Sequence, residues 1–124
     1  MKFRVTLPAS DLARAKAWYA SILQLEPIST DPNGDAMYES NGSRFLLYES
    51  RFAGTNQATA AAFEVDDVEA AVAELRSRGA VFEDYDFGED FRTVDGILTT
   101  PEGNKVGWLK DSEGNLIAIA TTRD

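Results

Sequence analysis

Between residues 82 and 91 the chain reads FEDYDFGEDF, in which Phe82, Tyr85, Phe87 and Phe91 alternate with Glu83, Asp84, Asp86, Glu89 and Asp90. Aromatic faces stack on planar molecules and attract cations through the ring quadrupole, and nearby carboxylates add to the pull on a cation. Trp108, within KVGWLK, is a second aromatic platform of the same kind. Two readings of the segment stand side by side. It is either a ligand-binding surface or a half-buried strand, with rings in the core and acids in water. The chain holds no histidine and no cysteine, which removes the commonest metal ligand, the commonest general base and the thiol nucleophile. A histidine-containing triad is excluded on the same ground. The glycines of GDAMYESNGS lack the spacing and the strand–loop–helix setting of a phosphate-binding loop.

The elements that position these residues belong to a small domain. With 124 residues, 44% hydrophobic and 27% charged, the chain has the make-up of an ordinary globular protein. Its formal net charge of -9 disfavours nucleic-acid or anionic-membrane partners and suits cationic ligands. The opening MKFRVTL lacks the features of a signal peptide, and no apolar run approaches a membrane span. A cytoplasmic location is therefore expected.

The chain is written twice. FRVTLPASDLARAKAWYASILQ, from Phe3, and TAAAFEVDDVEAAVAELRSRGA, from Thr59, each run from a short apolar strand through an aspartate into an amphipathic helix. A shift of 56 places Asp11 over Asp67. Leu12, Ala15, Tyr19, Ile22 and Leu23 then fall on one helical face, as do Val68, Ala71, Val72 and Leu75. Ser10 or Asp11 caps the first helix and Asp66 or Asp67 the second, with Glu69 three residues after Asp66 as in a capping box. Arg76, Arg78 and Gly79 close the second helix. Trp18 and Tyr19 lie on or beside the apolar face and are expected in the core. EPIST, DAMYES and RFLLYES read as strands after the first helix, and VFEDYDF, GILTT, KVGWLK and NLIAIATT as strand-like pieces after the second. Turns rich in Gly and Asn divide them. The expected fold class is α+β, with two βαβββ modules forming curved mixed sheets around a cavity. They span residues 1–53 and 58–124, joined by a linker at 54–57.

In this paired form the sequence resembles the vicinal oxygen chelate superfamily, which includes glyoxalase I, bleomycin-resistance proteins and extradiol dioxygenases. The carriers of the resemblance are VTLPASDLARAKAWYASIL, AFEVDDVEAAVAELRSRGA and the closing DSEGNLIAI. Metal enzymes of that family take ligands from the first and fourth strands of each module. The resemblance puts Arg4, Ala60, Leu47 and Ala118 at those positions, and none of the four can ligate a metal. No metal and no other cofactor is therefore expected.

If Arg4 faces the cavity, strand alternation sends Thr6, Pro8, Ala60, Ala62 and Glu64 there too. On the fourth strands Phe45, Leu47, Glu49, Leu116, Ala118 and Ala120 are read as cavity-facing. The candidate ligand-binding residues are Arg4, Phe45, Leu47, Glu49, Ala60, Glu64, Tyr85, Phe87, Trp108 and Ala118. The resemblance implies a metal-independent binding protein for an aromatic or cationic small molecule, of the bleomycin-resistance kind. It also implies a homodimer whose pockets take residues from both chains. The alternatives are a metal-free enzyme with Glu49 or Glu64 as general base, and a lyase or dioxygenase holding a metal through carboxylates such as Glu49 and Asp86.

Overall fold

The computed structural model describes residues 1–123. In the first module β1 (Val5–Ala9) leads into α1 (Leu12–Trp18), followed by β2 (Ser29–Thr30), β3 (Ala36–Ser40) and β4 (Ser43–Glu49). The second holds β5 (Thr59–Val65), α2 (Val68–Ser77), β6 (Ile97–Thr99), β7 (Lys105–Lys110) and β8 (Leu116–Thr121). Each forms a four-stranded mixed sheet, in the orders β1-β4-β3-β2 and β5-β8-β7-β6. The first strand of each lies at the sheet edge, parallel to the last, and the remaining pairings are antiparallel. The fold class is thus α+β with two similar modules. Among the described residues no helix is long and apolar enough to cross a membrane.

Local sequence explains both helices. Asp11 and Asp67 sit in extended backbone and accept the amide protons of Arg14 and Ala70, each at 3.0 Å. Because Asp67 is the cap, Glu69 falls at the second helical position rather than the third. It forms no capping box and pairs with Lys105 instead. After Trp18 the first helix widens into a π-helical turn, Tyr19–Leu23, stopped by Gln24 at φ 56°. The second stops at Gly79, whose φ of +106° is open to glycine at no steric cost.

Each helix covers one face of its own sheet. Tyr19 is fully buried against Tyr38 and Phe45, with ring centroids at 5.7 and 5.8 Å, and Tyr38 stacks on Phe45 at 4.8 Å. Burying one such ring stabilises the fold by roughly 2–3 kcal/mol. Val72 and Leu75 do the same work over Leu109, Ile117 and Ile119. Phe45 meets Phe63 edge-on at 6.2 Å, so the two helical layers share one core.

This core corrects the reading of β4. Val5 pairs with Phe45 and Leu7 with Leu47, and all four side chains belong to the helix-side core. Phe45 and Leu47 therefore point away from the open face, where Leu46 and Tyr48 stand opposite Thr6 and Pro8. The expected strand in VFEDYDF is also absent. Residues 82–96 form an irregular loop touching the sheet through an isolated bridge from Phe82 to Leu109, and β6 begins only at Ile97.

The modules are clasped by the turn between β7 and β8. The Asp111 carboxylate accepts the amides of Glu113 and Asn115, the hydroxyl of Tyr19 at 2.7 Å and the side-chain amide of Asn115. Asn115 also donates to the Pro8 carbonyl at 2.8 Å, satisfying an edge strand of the other module. Linker residue Gly54 lies so close that a Cβ there would stand 2.6 Å from the Glu113 carbonyl.

Candidate functional site

With the helices on one face of each sheet, the opposite faces stay open. On the second sheet β7 presents Trp108, in register with Ala118 of β8, which is in turn opposite Ala62 of β5. The indole N–H donates to the Thr59 hydroxyl at 3.2 Å. Small residues on β8 and, beyond it, on β5 leave the indole free to lie across them.

The loop after α2 folds toward this face. Its amide at Glu83 donates to the Trp108 carbonyl at 2.8 Å. Polar contacts hold the rest. The buried Thr93 hydroxyl donates to Asp84 at 2.8 Å and accepts the Tyr85 amide at 2.7 Å, while the Gly96 amide donates to Asp84 at 2.8 Å. The Thr93 hydroxyl and the Gly96 amide hold the Asp84 carboxyl below its ordinary range. Farther along, the Phe87 amide donates to the Phe91 carbonyl at 2.8 Å.

The frame brings four rings together. Tyr85 meets Phe87 at 5.9 Å, Phe87 meets Phe91 at 5.7 Å, Phe91 meets Trp108 at 6.0 Å and Trp108 meets Tyr85 at 5.6 Å between centroids. They line a cavity of about 490 Å³ together with Glu83, Lys110, linker residue Asn56 and Thr59 of β5. That volume suits a drug-sized ligand. Lys110 and Glu83 form an ion pair at 3.5 Å on its rim. A smaller depression of about 260 Å³, containing Ala118 and Ala120, lies on the same face beside Trp108.

Of the candidate residues, Tyr85, Phe87 and Trp108 converge in this cavity, and Ala118 adjoins it. The others lie elsewhere. A β-bulge between Thr59 and Ala61 leaves Ala60 without a cross-strand partner, packed against the core. Thr59 and Ala62 hold the open-face positions in its stead, opposite Leu116 and Ala118. Phe45 and Leu47 are in the helix-side core, with Phe45 on the edge of a separate cavity of about 350 Å³ between the modules. Glu64 lines that same cavity and accepts the Arg123 amide at 3.3 Å. Glu49 is exposed at the end of β4, opposite Ala9. Arg4 is exposed on the first sheet's open face, where it lines a larger cavity of about 840 Å³ with Lys2, Met37 and Arg44.

Thr59 and Lys110 were not singled out from sequence. Lys110 carried a usable signal, two positions beyond Trp108 on the same strand, whereas Thr59 depends on a bulge among alanines that no pattern announces.

The family's metal positions do not fit a cation. With the β4 register corrected, Leu46 replaces Leu47 as the counterpart of Ala118, and leucine has no donor atom in either case. Among the described residues no three His, Cys, Asp or Glu side chains converge as a metal-holding group.

The chain matches the Glyoxalase/Bleomycin resistance protein/Dioxygenase superfamily over residues 3–119. No curated protein gives a match. Among solved structures, a glyoxalase / bleomycin resistance protein from Catenulispora acidiphila is similar at 21% identity and TM-score 0.71, covering 99% of each chain. A bleomycin-binding protein complexed with bleomycin aligns at 13% identity and TM-score 0.72, also over 99% of both chains. Lactoylglutathione lyase from Agrobacterium tumefaciens aligns at 17% identity and TM-score 0.72, over 98% of this chain and 92% of that one. These likenesses speak for the shared fold, and the family match spans nearly the whole sequence: the chain belongs to the Glyoxalase/Bleomycin resistance protein/Dioxygenase superfamily.

Proposed function

We propose that this protein is a metal-independent small-molecule-binding protein of the bleomycin-resistance kind, whose ligand is aromatic or cationic. The observation that carries the reading is the group of four rings around a space of about 490 Å³. The binding of bleomycin by a protein of the same fold supports it. The substituted ligand positions support independence from metal. The carboxylates suggested as general bases, Glu49 and Glu64, do not line the aromatic cavity, so the geometry favours binding over catalysis.

A second copy of the chain borders the ligand site. The first sheet's open face carries Lys2 and Arg4, with Arg44 paired to Glu39 at 3.0 Å, and the loop beside the second sheet's open face carries Asp86, Glu89 and Asp90. Opposite charges on two open faces suit a twofold pairing in which the basic patch of each first sheet meets the partner's acidic loop beside its aromatic cavity.

The test is fluorescence titration with bleomycin-type and planar aromatic compounds in a Trp18→Phe background, where Trp108 is the sole indole. Saturable quenching with the compound recovered unchanged is expected. Chemical conversion of the compound would replace binding by catalysis, and absence of quenching across the series would remove the reading.

A further inference from the structure

The geometry points to a more specific ligand class, resting on the binding function just proposed: the four rings form a cage for a quaternary or methylated ammonium group. Each ring touches two others, so Tyr85, Phe87, Phe91 and Trp108 close a quadrilateral with sides of 5.6 to 6.0 Å. Cation–π attraction reaches about 6 Å from a ring centroid, and quaternary ammonium ions are its best-suited guests, being cations with an apolar, weakly hydrated surface.

Two features separate this group from a small hydrophobic core that merely pins the loop. The first is exposure. Phe87 is 73% exposed and Phe91 44% exposed, so half of the rings spend apolar surface on water rather than hiding it. The second is that the loop is already held without them. Thr93, Asp84 and Gly96 fasten its base, and backbone bonds from Thr93 to Tyr85 and from Phe87 to Phe91 fasten its tip. The rings are thereby ordered before a ligand arrives, which lowers the entropic cost of binding.

Within the chain that carries the cage, the charge around it has the right sign. Asp86, Glu89 and Asp90 belong to the loop that carries the rings, and Glu83 lines the cavity. Lys110 is the basic side chain on the rim, and Glu83 partly neutralises it at 3.5 Å. Arg92 follows Phe91 in the loop and is exposed. A neutral planar ligand would gain from the rings and nothing from the acids. A trimethylammonium group gains from both.

Calorimetric titration of the full chain with choline and with 3,3-dimethylbutan-1-ol tests this, because the two share a shape and differ in charge. Choline should bind saturably and at least about tenfold more tightly than the alcohol. Phe87→Leu and Phe91→Leu, which keep apolar volume and remove the ring, should each weaken choline by roughly three- to tenfold. The melting temperature of Phe87→Leu should stay near wild type, since that ring is mostly in water. Lys110→Met should tighten choline. Equal affinity for choline and the alcohol, or choline binding indifferent to ring removal, would overturn the cage. So would failure of choline to bind while planar aromatic compounds still quench Trp108, a result that leaves the general binding function standing. If neither class binds, both proposals fall together.

Discussion

Arg14 and Glu113, in different modules and 99 positions apart, form a two-pronged pair: Nε donates to Oε2 and Nη2 to Oε1, each at 2.9 Å. The Glu113 side chain is fully buried and also accepts the Asp11 amide at 3.0 Å and the hydroxyls of Ser10 and Ser112. Its carboxyl lies at about 2, against an ordinary 4.5, chiefly because of Arg14, with Ser112, the Asp11 amide and Ser10 adding to the effect against burial. A depressed carboxyl stabilises the fold above its unfolded value and loses that contribution as it is protonated. Urea unfolding should therefore show stability falling as pH drops from about 4.5 toward 2. Glu113→Gln should cost about 1–3 kcal/mol at neutral pH, because several donors lose a charged partner. It should also flatten the acid limb, and two parallel pH curves would defeat the assignment.

Purified protein is expected to hold no stoichiometric Zn, Ni, Fe or Mn, and a chelator should leave its melting temperature unchanged. The expectation rests on Arg4, Leu46 and Ala118 at the open-face counterparts of the family's ligand positions and on Ala60, which packs against the core; none of the four side chains can ligate a metal. Elemental analysis decides it: one metal per chain, whatever its ligands, would overturn the metal-independent reading.

Sedimentation at micromolar protein should show a dimer, with a total interface above ~1,000 Å². Arg4→Glu places an acid opposite the partner's acidic loop and should weaken association by about tenfold or more, most strongly at low salt. A wild-type monomer under these conditions would confine the ligand site to one chain.

Much of the fold was legible in the sequence, because its signals are local. Asp11 and Asp67 as caps, helical faces marked by Ala15, Tyr19, Val72 and Leu75, and Gly- and Asn-rich turns all act over a few residues, and they recur at a fixed shift. The aromatic residues of the site were visible for the same reason, being a compositional peculiarity of one short segment.

What only the tertiary structure decided was which way strands face and how distant residues meet. Residues 45–48 read Phe-Leu-Leu-Tyr, apolar on both sides of the strand, so alternation carries no parity signal there. Pairing with β1 sets the parity and sends Phe45 and Leu47 to the helix. Three consecutive alanines are equally silent about the bulge at Ala60. The alternation in residues 82–87 satisfies a strand and a loop alike, and the loop prevails because Thr93 and Gly96, about ten residues on, supply the partners of Asp84. Glu113 lies in a turn with no local partner for its charge, and only folding carries it to Arg14. Periodicity records a residue's near neighbours along the chain, whereas register, closure of the four rings and the clasp between modules depend on contacts made only when remote segments pack.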